Sequence, residues 1–207
     1  FEEAARFGYL GTAYSGLRKA GVRAGRTVLI SGDSGTLGLG AVLVARAMGA
    51  TKILCVARNL DLLNRVKQID PVRIQTFSYG SGDLIQWAKN ETGGQGVDAV
   101  LDAIGPGASN QVTLDCMSCL KRGGTLVEVG AMSDPLPINL HEMMCSQISV
   151  VGSLWFSVAE GQDLAAMAAA GTLDLSIFEH KRFSLDQVNE ALAFAEKRSG
   201  GFNNRGE

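Results

Sequence analysis

Apolar positions along this chain come in two rhythms. Short runs rich in β-branched residues, at Thr27–Ile30, Lys52–Ala57, Arg73–Thr76, Val97–Asp102, Thr125–Val129 and Ile148–Val151, predict six strands. Longer stretches with helical spacing separate them, at 36–49, 60–69, 81–92, 108–121 and, briefly, 139–145. Runs such as Thr27–Ile30 are continuously apolar rather than alternating, with Arg73–Thr76 weaker, so strands buried on both faces are expected, which needs helices above and below. Strand–helix alternation of this kind predicts right-handed βαβ crossovers and a doubly wound parallel sheet, an α/β fold in three layers. Residues 1–5 already read as helix, and two further helices are predicted at 157–170 and 185–198, the second capped by Ser184 or Asp186. The stretch Leu37–Ala50 is apolar or small nearly all round, so it is predicted to lie buried against the sheet.

Composition narrows the class. Of 207 residues, 46% are hydrophobic and 19% charged, with a net charge of −2. That is enough apolar material for a core and too little charge for a disordered chain. Near-neutrality gives no bulk attraction to nucleic acid or an anionic membrane. No apolar run approaches the roughly 18–20 residues of a membrane span, and no signal-peptide pattern opens the chain. Four cysteines suit a reduced, cytoplasmic setting better than a disulfide framework. Glycine is the outlier, with 26 residues, well above the average of about 7%. Only four prolines accompany it and no G-x-y period, so the glycines are neither collagen nor linker and must serve local backbone geometry.

The densest glycine segment is Ser31-Gly32-Asp33-Ser34-Gly35-Thr36-Leu37-Gly38, between the first predicted strand and the buried helix. Gly32 suits a tight exit from the strand, Gly35 lets a pyrophosphate approach the main chain, and Gly38 lets helix and strand pack closely. The N–H groups at the helix start, from Ser34 through Leu37, then face phosphate with the positive end of the helix dipole. The spacing is one residue longer than the common G-x-G-x-x-G, and its strand–turn–helix context is what makes it a dinucleotide signal. Two other nucleotide patterns fail. No Gly-Lys-Ser/Thr occurs, and Tyr9, Tyr14 and Tyr79 are followed four residues on by Ala13, Arg18 and Asp83, never by lysine.

The second strand decides which dinucleotide. An acidic residue at its end would hold a ribose 2′-hydroxyl and mark NAD. Ala57 stands there, followed by Arg58 and Asn59. A guanidinium in place of a carboxylate suits a 2′-phosphate, so NADP(H) is expected over NAD(H), with Arg58 as a solvated loop cation the competing reading.

The blocks Gly11–Leu17, Ala24–Ile30, the glycine turn, Ala47–Ala50, Gly96–Gly105, Gly123–Gly130 and Val151–Ser153 run in order along nearly the whole chain. In this they resemble the medium-chain dehydrogenase/reductase superfamily, with a turn similar to that of quinone oxidoreductases and some zinc-type alcohol dehydrogenases. The resemblance implies a Rossmann sheet with strand order 3-2-1-4-5-6. It also implies a GroES-like catalytic lobe that is not in these residues. Residues 1–24 then lead in from that lobe, 25–156 form the cofactor core and 157–207 return toward it. Catalytic residues are left unassigned. It further implies Tyr79 beside the adenosine; Ala103, Ile104, Gly105, Val129, Gly130 and Ala131 at the ligand edge; Leu154 and Trp155 toward the nicotinamide, with ordinary packing an equal reading for Trp155; and Arg205 near the pyrophosphate. Zinc enzymes of the family draw one cysteine ligand from near Gly8. Glycine has no ligand atom, so either the protein is zinc-free or the alignment slips by a residue or two. No metal is expected on these residues.

Other residues tempt. Cys116 and Cys119 have C-x-x-C spacing but fall late in a predicted helix, so they read as packing thiols. His141 and His180 show no Cys or His partner, and Cys55 and Cys145 are single. Asp98 and Asp102 share one strand face, and Asp102 stands at the ligand edge as a cofactor-loop orienter or a structural hydrogen bonder. The expected function is hydride transfer between NADP(H) and an alcohol/carbonyl pair or an activated C=C, the isolated segment catalysing little. A zinc-dependent alcohol dehydrogenase and a non-catalytic NADPH sensor are the alternatives. A small-molecule substrate is expected, with no nucleic acid or membrane partner, and a homodimer through Gln147–Gly152 on the sixth strand.

Overall fold

Six parallel strands form one sheet in the order β3-β2-β1-β4-β5-β6, with β1 at Thr27–Ser31, β2 at Lys52–Ala57, β3 at Ile74–Ser78, β4 at Val97–Asp102, β5 at Leu120–Glu128 and β6 at Ser149–Gly152. The computed structural model describes residues 3–196 and 200–202. A 3-10 turn, Glu3–Arg6, leads into α1 (Phe7–Lys19). The crossovers carry α2 (Thr36–Ala47), α3 (Leu60–Ile69), α4 (Leu84–Glu91), α5 (Asn110–Met117) and α6 (Leu140–Ser146). After β6 come α7 (Val158–Ala169), a 3-10 turn at Leu185–Gln187, and α8 (Val188–Glu196). No helix among the described residues is long and apolar enough to cross a membrane.

Strand periodicity divides the core as the doubly wound arrangement requires. Val28, Ile30, Ile53, Cys55, Ala99 and Leu101 point to one face, beneath α1, α2, α3 and Leu164 of α7. Leu29, Leu54, Val56 and Val100 point to the other, beneath Leu84 and Ala88 of α4 and Cys116 of α5. Helix α2 is buried on nearly all sides, from Gly38 through Ala45, as its apolar sequence requires.

Boundaries move where a side chain or a strand partner intervenes. The stretch expected to be helical to 121 leaves the helix after Met117 and is strand from Leu120. Val97 N–H takes the carbonyl of Cys119 at 2.9 Å, drawing it into the sheet. Gly96 lies against the same carbonyl, where a Cβ would come within 2.6 Å. Helix α4 starts at Leu84 because Asp83 accepts from Gln86 N–H. Before the last helix Ser184, not Asp186, is the cap, at the start of the 3-10 turn Leu185–Gln187 and in a capping box with Gln187.

Asp98 ties the amino end of the sheet together. Its carboxylate accepts from Arg26 at 2.5 Å, from Thr27 N–H at 2.8 Å and Thr27 Oγ1 at 2.9 Å, and meets Lys121 Nζ at 2.5 Å. Burial alone would raise this carboxyl, but the bonds from Lys121, Thr27 and Arg26 outweigh it and hold the group well below the usual carboxylate range. Asp98→Ala should therefore cost about 3 kcal/mol at neutral pH, since it strands two cations and a backbone donor. The folded carboxyl is the more acidic one, so this stabilisation is complete above about pH 4 and fades as the pH falls further. Urea denaturation of both proteins at pH 7 and pH 3 should show the gap narrowing; an unchanged gap would refute the account.

Candidate functional site

Because every strand is parallel, all six carboxyl ends open on one edge. There Gly32 N–H bonds to Val56 O at 2.9 Å, and Gly35 N–H closes a turn onto Gly32 O at 3.0 Å. Gly32 has φ +72°, a conformation that L side chains adopt only with strain, and a Cβ there would stand 3.0 Å from Ala103 O. Gly38 presses so closely on the turn that a Cβ would overlap the carbonyl of Gly32 and lie 2.7 Å from Asp33 Cα. Gly35 is the N-cap of α2 and offers no side chain to its first turn. The leading N–H groups of the helix therefore remain available to an outside acceptor, and the helix dipole favours an anion. Ser34, Thr36 and Leu37 are half-buried around this mouth.

The loops after β4 and β5 extend the same rim. Ala103 lies against Gly32, and Gly130 lies so close to Ile104 that a Cβ would collide with its carbonyl. Gly105 faces Gly130, and Ala131 is held at φ +63°. Val129 N–H bonds to Asp102 O at 2.9 Å, and Ser153 N–H to Glu128 O at 3.0 Å. Beyond Ser153, Leu154 stands 92% exposed, while Trp155 stacks on Phe156 at 5.4 Å.

Asp102 is the internal clamp of this edge. It is fully buried and accepts from Ser31 Oγ at 2.6 Å, from Ile104 N–H at 3.1 Å and from Thr113 Oγ1. It thereby joins the ends of β1 and β4 to α5, and all of these bonds are within the protein.

Arg58, Asn59 and Tyr79 come together at the ends of β2 and β3. Tyr79 N–H bonds to Ala57 O at 2.8 Å, and Ser78 Oγ to Arg58 O at 3.4 Å. Arg58 is exposed, and among the described residues nothing holds its guanidinium. Asn59 caps α3, its side-chain oxygen accepting from the N–H groups of Asp61 and Leu62. Tyr79 donates its hydroxyl to Asp115 at 2.6 Å. Burial, then the Asp115 hydrogen bond, push its pKa up to about 12. A hollow of about 290 Å³ opens beside it, lined in part by Gly80, Asp83 and Asp115.

Two carboxylates of this edge are absent from the sequence-derived set. Asp33 is fully buried at the corner of the glycine turn, and neither oxygen finds a hydrogen-bond partner. Burial raises its pKa to about 7, its own backbone N–H pulling only weakly the other way. Glu128 ends β5, and burial followed by the charge of Asp102 raises it to about 7, although the N–H groups of Gly130, Met132 and Ala131 pull the other way. The signal for Asp33 was in plain view, as an acidic residue inside a turn suited to an anion; that for Glu128 was its place directly before Val129.

The remaining candidates sort by packing. Cys116 and Cys119 are buried, and their thiols are pushed up by burial, that of Cys119 to about 12. His141 does have a partner, contrary to expectation: Cys145 Sγ, one helical turn on, lies 3.6 Å from its Nε2. Among the described residues no three His, Cys, Asp or Glu side chains converge where a metal ion would fit. Gly8 carries no ligand atom and faces the Trp155 indole, 3.3 Å from where its Cβ would be, so that position does not fit a zinc ligand. Arg205 lies outside the described residues.

Residues 36–170 match the sequence profile of the zinc-binding dehydrogenase family. The chain belongs to that family. It lies within the medium-chain dehydrogenase/reductase superfamily, and its sheet is the nucleotide-binding dehydrogenase fold. Among its relatives, the quinone oxidoreductase-like protein 2 homolog of Nematostella vectensis is 28% identical over 91% of this chain and 52% of its own length. Human quinone oxidoreductase is 32% identical over 77% of this chain and 47% of its own. The alcohol dehydrogenase of Thermus sp. ATN1 superposes with a TM-score of 0.73 at 26% identity, over 83% of this chain and 48% of its own. A dehydrogenase of Sinorhizobium meliloti 1021 solved with NADP shares the fold, with a TM-score of 0.78 at 23% identity, over 92% and 55%. The chain thus spans about half the length of the relatives it matches.

Proposed function

We propose that this chain binds NADP(H) along the carboxyl edge of its sheet and presents the nicotinamide for hydride transfer. The other reactant is an alcohol/carbonyl pair or the activated C=C of a quinone or enone. The observation that carries the reading is the glycine cradle at the uncapped start of α2, with an exposed Arg58 where NAD-preferring sites place a carboxylate. When bound, the dinucleotide supplies the hydride chemistry. The chain's own residues bind and orient it. The N–H groups at the start of α2 take the pyrophosphate, Arg58 the 2′-phosphate and Tyr79 the adenosine side. The Ala103–Gly105 and Val129–Ala131 loops, with Leu154, face the nicotinamide end.

Substrate contacts and acid–base groups belong, in this proposal, to the half of its relatives' length that the chain does not span. Gly8 disfavours the zinc-dependent version. Four free cysteines suit a reducing cytoplasm. The proposal also includes a homodimer through Gln147–Gly152, because β6 ends the sheet and its outer edge would otherwise stay open.

Arg58→Asp tests the cofactor assignment. It replaces a forked charge-assisted contact by repulsion, so NADPH affinity should fall at least about tenfold while NADH affinity changes little. Fluorescence titration of the intact protein with both reduced dinucleotides reads this, and equal loss for the two would refute the NADP preference.

A further inference from the structure

The glycine turn contains a carboxylate with no evident partner. Asp33 is the first corner of the turn that Gly35 N–H closes on Gly32 O at 3.0 Å, and both of its oxygens are buried without a hydrogen-bond partner. A buried carboxylate that receives no donor from another residue is shifted toward the neutral acid, its own backbone N–H offsetting only part of the burial. The same turn holds the most negative part of a dinucleotide in the reading above, and this inference rests on that reading. Asp33 is two residues from Gly35, so at about 3.8 Å per Cα step a pyrophosphate on the turn lies within strong Coulomb range of its carboxyl.

The ionisable groups on the surrounding elements do not relieve it. Cys55 on β2 is buried, and its thiol is raised first by burial and then by the Asp33 charge. Asp102 at the end of β4 already accepts from Ser31, Ile104 and Thr113. No acidic or basic residue stands in the first turn of α2. The 200–202 segment crosses the turn, with Gly201 N–H on Ser34 O at 2.7 Å, and brings Arg6 and Arg65 nearby. Arg6 reaches the carbonyl of Glu179 at 3.3 Å, and Arg65 pairs with the Glu179 carboxylate at 3.3 Å.

We propose that Asp33 couples dinucleotide binding to proton uptake, the turn accepting pyrophosphate in the form that carries the Asp33 proton. Unliganded, the group holds its proton to about pH 7. A bound phosphate pair adds negative charge and disfavours ionisation further. Above neutrality, binding then draws one proton from solvent, and affinity declines by up to about tenfold per pH unit until the liganded group also ionises. Neither the 2′-phosphate nor Arg58 is needed for this effect, so NADH and NADPH share it.

The test is isothermal titration of the intact protein with NADH and with NADPH at pH 6.5 and 8.5, in two buffers of different ionisation heat. Wild type should take up most of one proton per dinucleotide at pH 8.5 and bind markedly more weakly than at pH 6.5. Asp33→Asn should take up none beyond the ligand's own titration and bind equally well at both pH values, about tenfold tighter than wild type at pH 8.5. Asp33→Ala serves the same purpose if the asparagine protein does not fold. Glu128→Gln should retain the uptake, because Glu128 lies at the other end of the rim. Equal proton uptake in wild type and both Asp33 variants would overturn the proposal while leaving dinucleotide binding intact. So would an uptake abolished by Glu128→Gln alone. A wild type that binds neither dinucleotide at either pH would remove the underlying reading together with the proposal. A purely structural Asp33 would shift melting temperature without changing the buffer dependence of the binding heat.

Discussion

Asp33→Asn should make the unliganded protein more stable at pH 8, by about 2–4 kcal/mol, and should flatten its stability between pH 5 and pH 8. The carboxyl ionises near 3.9 in an unfolded chain but at about 7 in the folded one, because burial leaves its charged form without a partner. The folded state therefore binds the proton more tightly. Its relative stability is greatest below about pH 4, declines as the pH rises toward 7, and is lowest above that. A difference of roughly three units sets an upper bound on the order of 4 kcal/mol, and the buried amide of asparagine gives some of it back. In a domain this size that is a rise in melting temperature of several degrees or more. Glu128, raised for a similar reason, adds to the wild-type decline in the same direction, whereas Asp98 weakens the fold only in acid. Thermal melts of wild type and variant at pH 5, 6, 7 and 8 check this. If the two curves stay parallel, the Asp33 carboxyl is not raised above its unfolded value in the folded protein.

Gly38→Ala should abolish useful dinucleotide binding, with at least about a hundredfold loss of affinity and about 2–3 kcal/mol of stability. The Cβ has nowhere to go. It would overlap the Gly32 carbonyl and stand 2.7 Å from Asp33 Cα, both of which are backbone and cannot rotate aside. To admit it, the turn must move away from α2, which breaks the Gly35 to Gly32 hydrogen bond and displaces the N–H groups that face phosphate. Arg23→Ala is the control, an exposed residue just before β1 at the opposite edge of the sheet. NADPH titration and urea denaturation of both variants distinguish a specific defect from a general one. An alanine variant at Gly38 that binds like wild type would show that this packing contributes nothing to the site.

Much of this edge was legible because its signals are local. Short β-branched apolar runs such as Val28–Ile30 and Ile53–Val56, bounded by turn residues, read as strands covered on both sides, and they are. The need for glycine at 32 and 38 follows from a chain reversal pressed against a helix start, and both positions are as crowded as that geometry requires. The His141–Cys145 pair is also local, at a spacing of one helical turn within a predicted helix.

Other features depend on partners distant in sequence. The end of α5 is set by Val97 and Gly96, some twenty residues upstream, which capture the Cys119 carbonyl for the sheet. Asp102 could be read as a cofactor orienter or a structural bonder until Ser31 and Thr113 came into reach, and their hydroxyls, with the Ile104 N–H, hold it inside the protein. Asn59 looks like a site residue beside Arg58, yet its side-chain oxygen is used to cap α3.

By itself the sequence determined the order of elements, the parallel sheet, the place of the glycine turn and the absence of a carboxylate at the end of β2, because each follows from the identity and spacing of neighbouring residues. Only the tertiary structure decided which polar groups are satisfied. Asp33, Asp98 and Asp102 are the same residue type, the first just past β1 and the other two toward opposite ends of the neighbouring β4. One is buried without a donor, one is held by two cations, and one is clamped by hydroxyls. Their charges, and hence their roles, come from the donors that folding brings to them, and no local pattern specifies those donors.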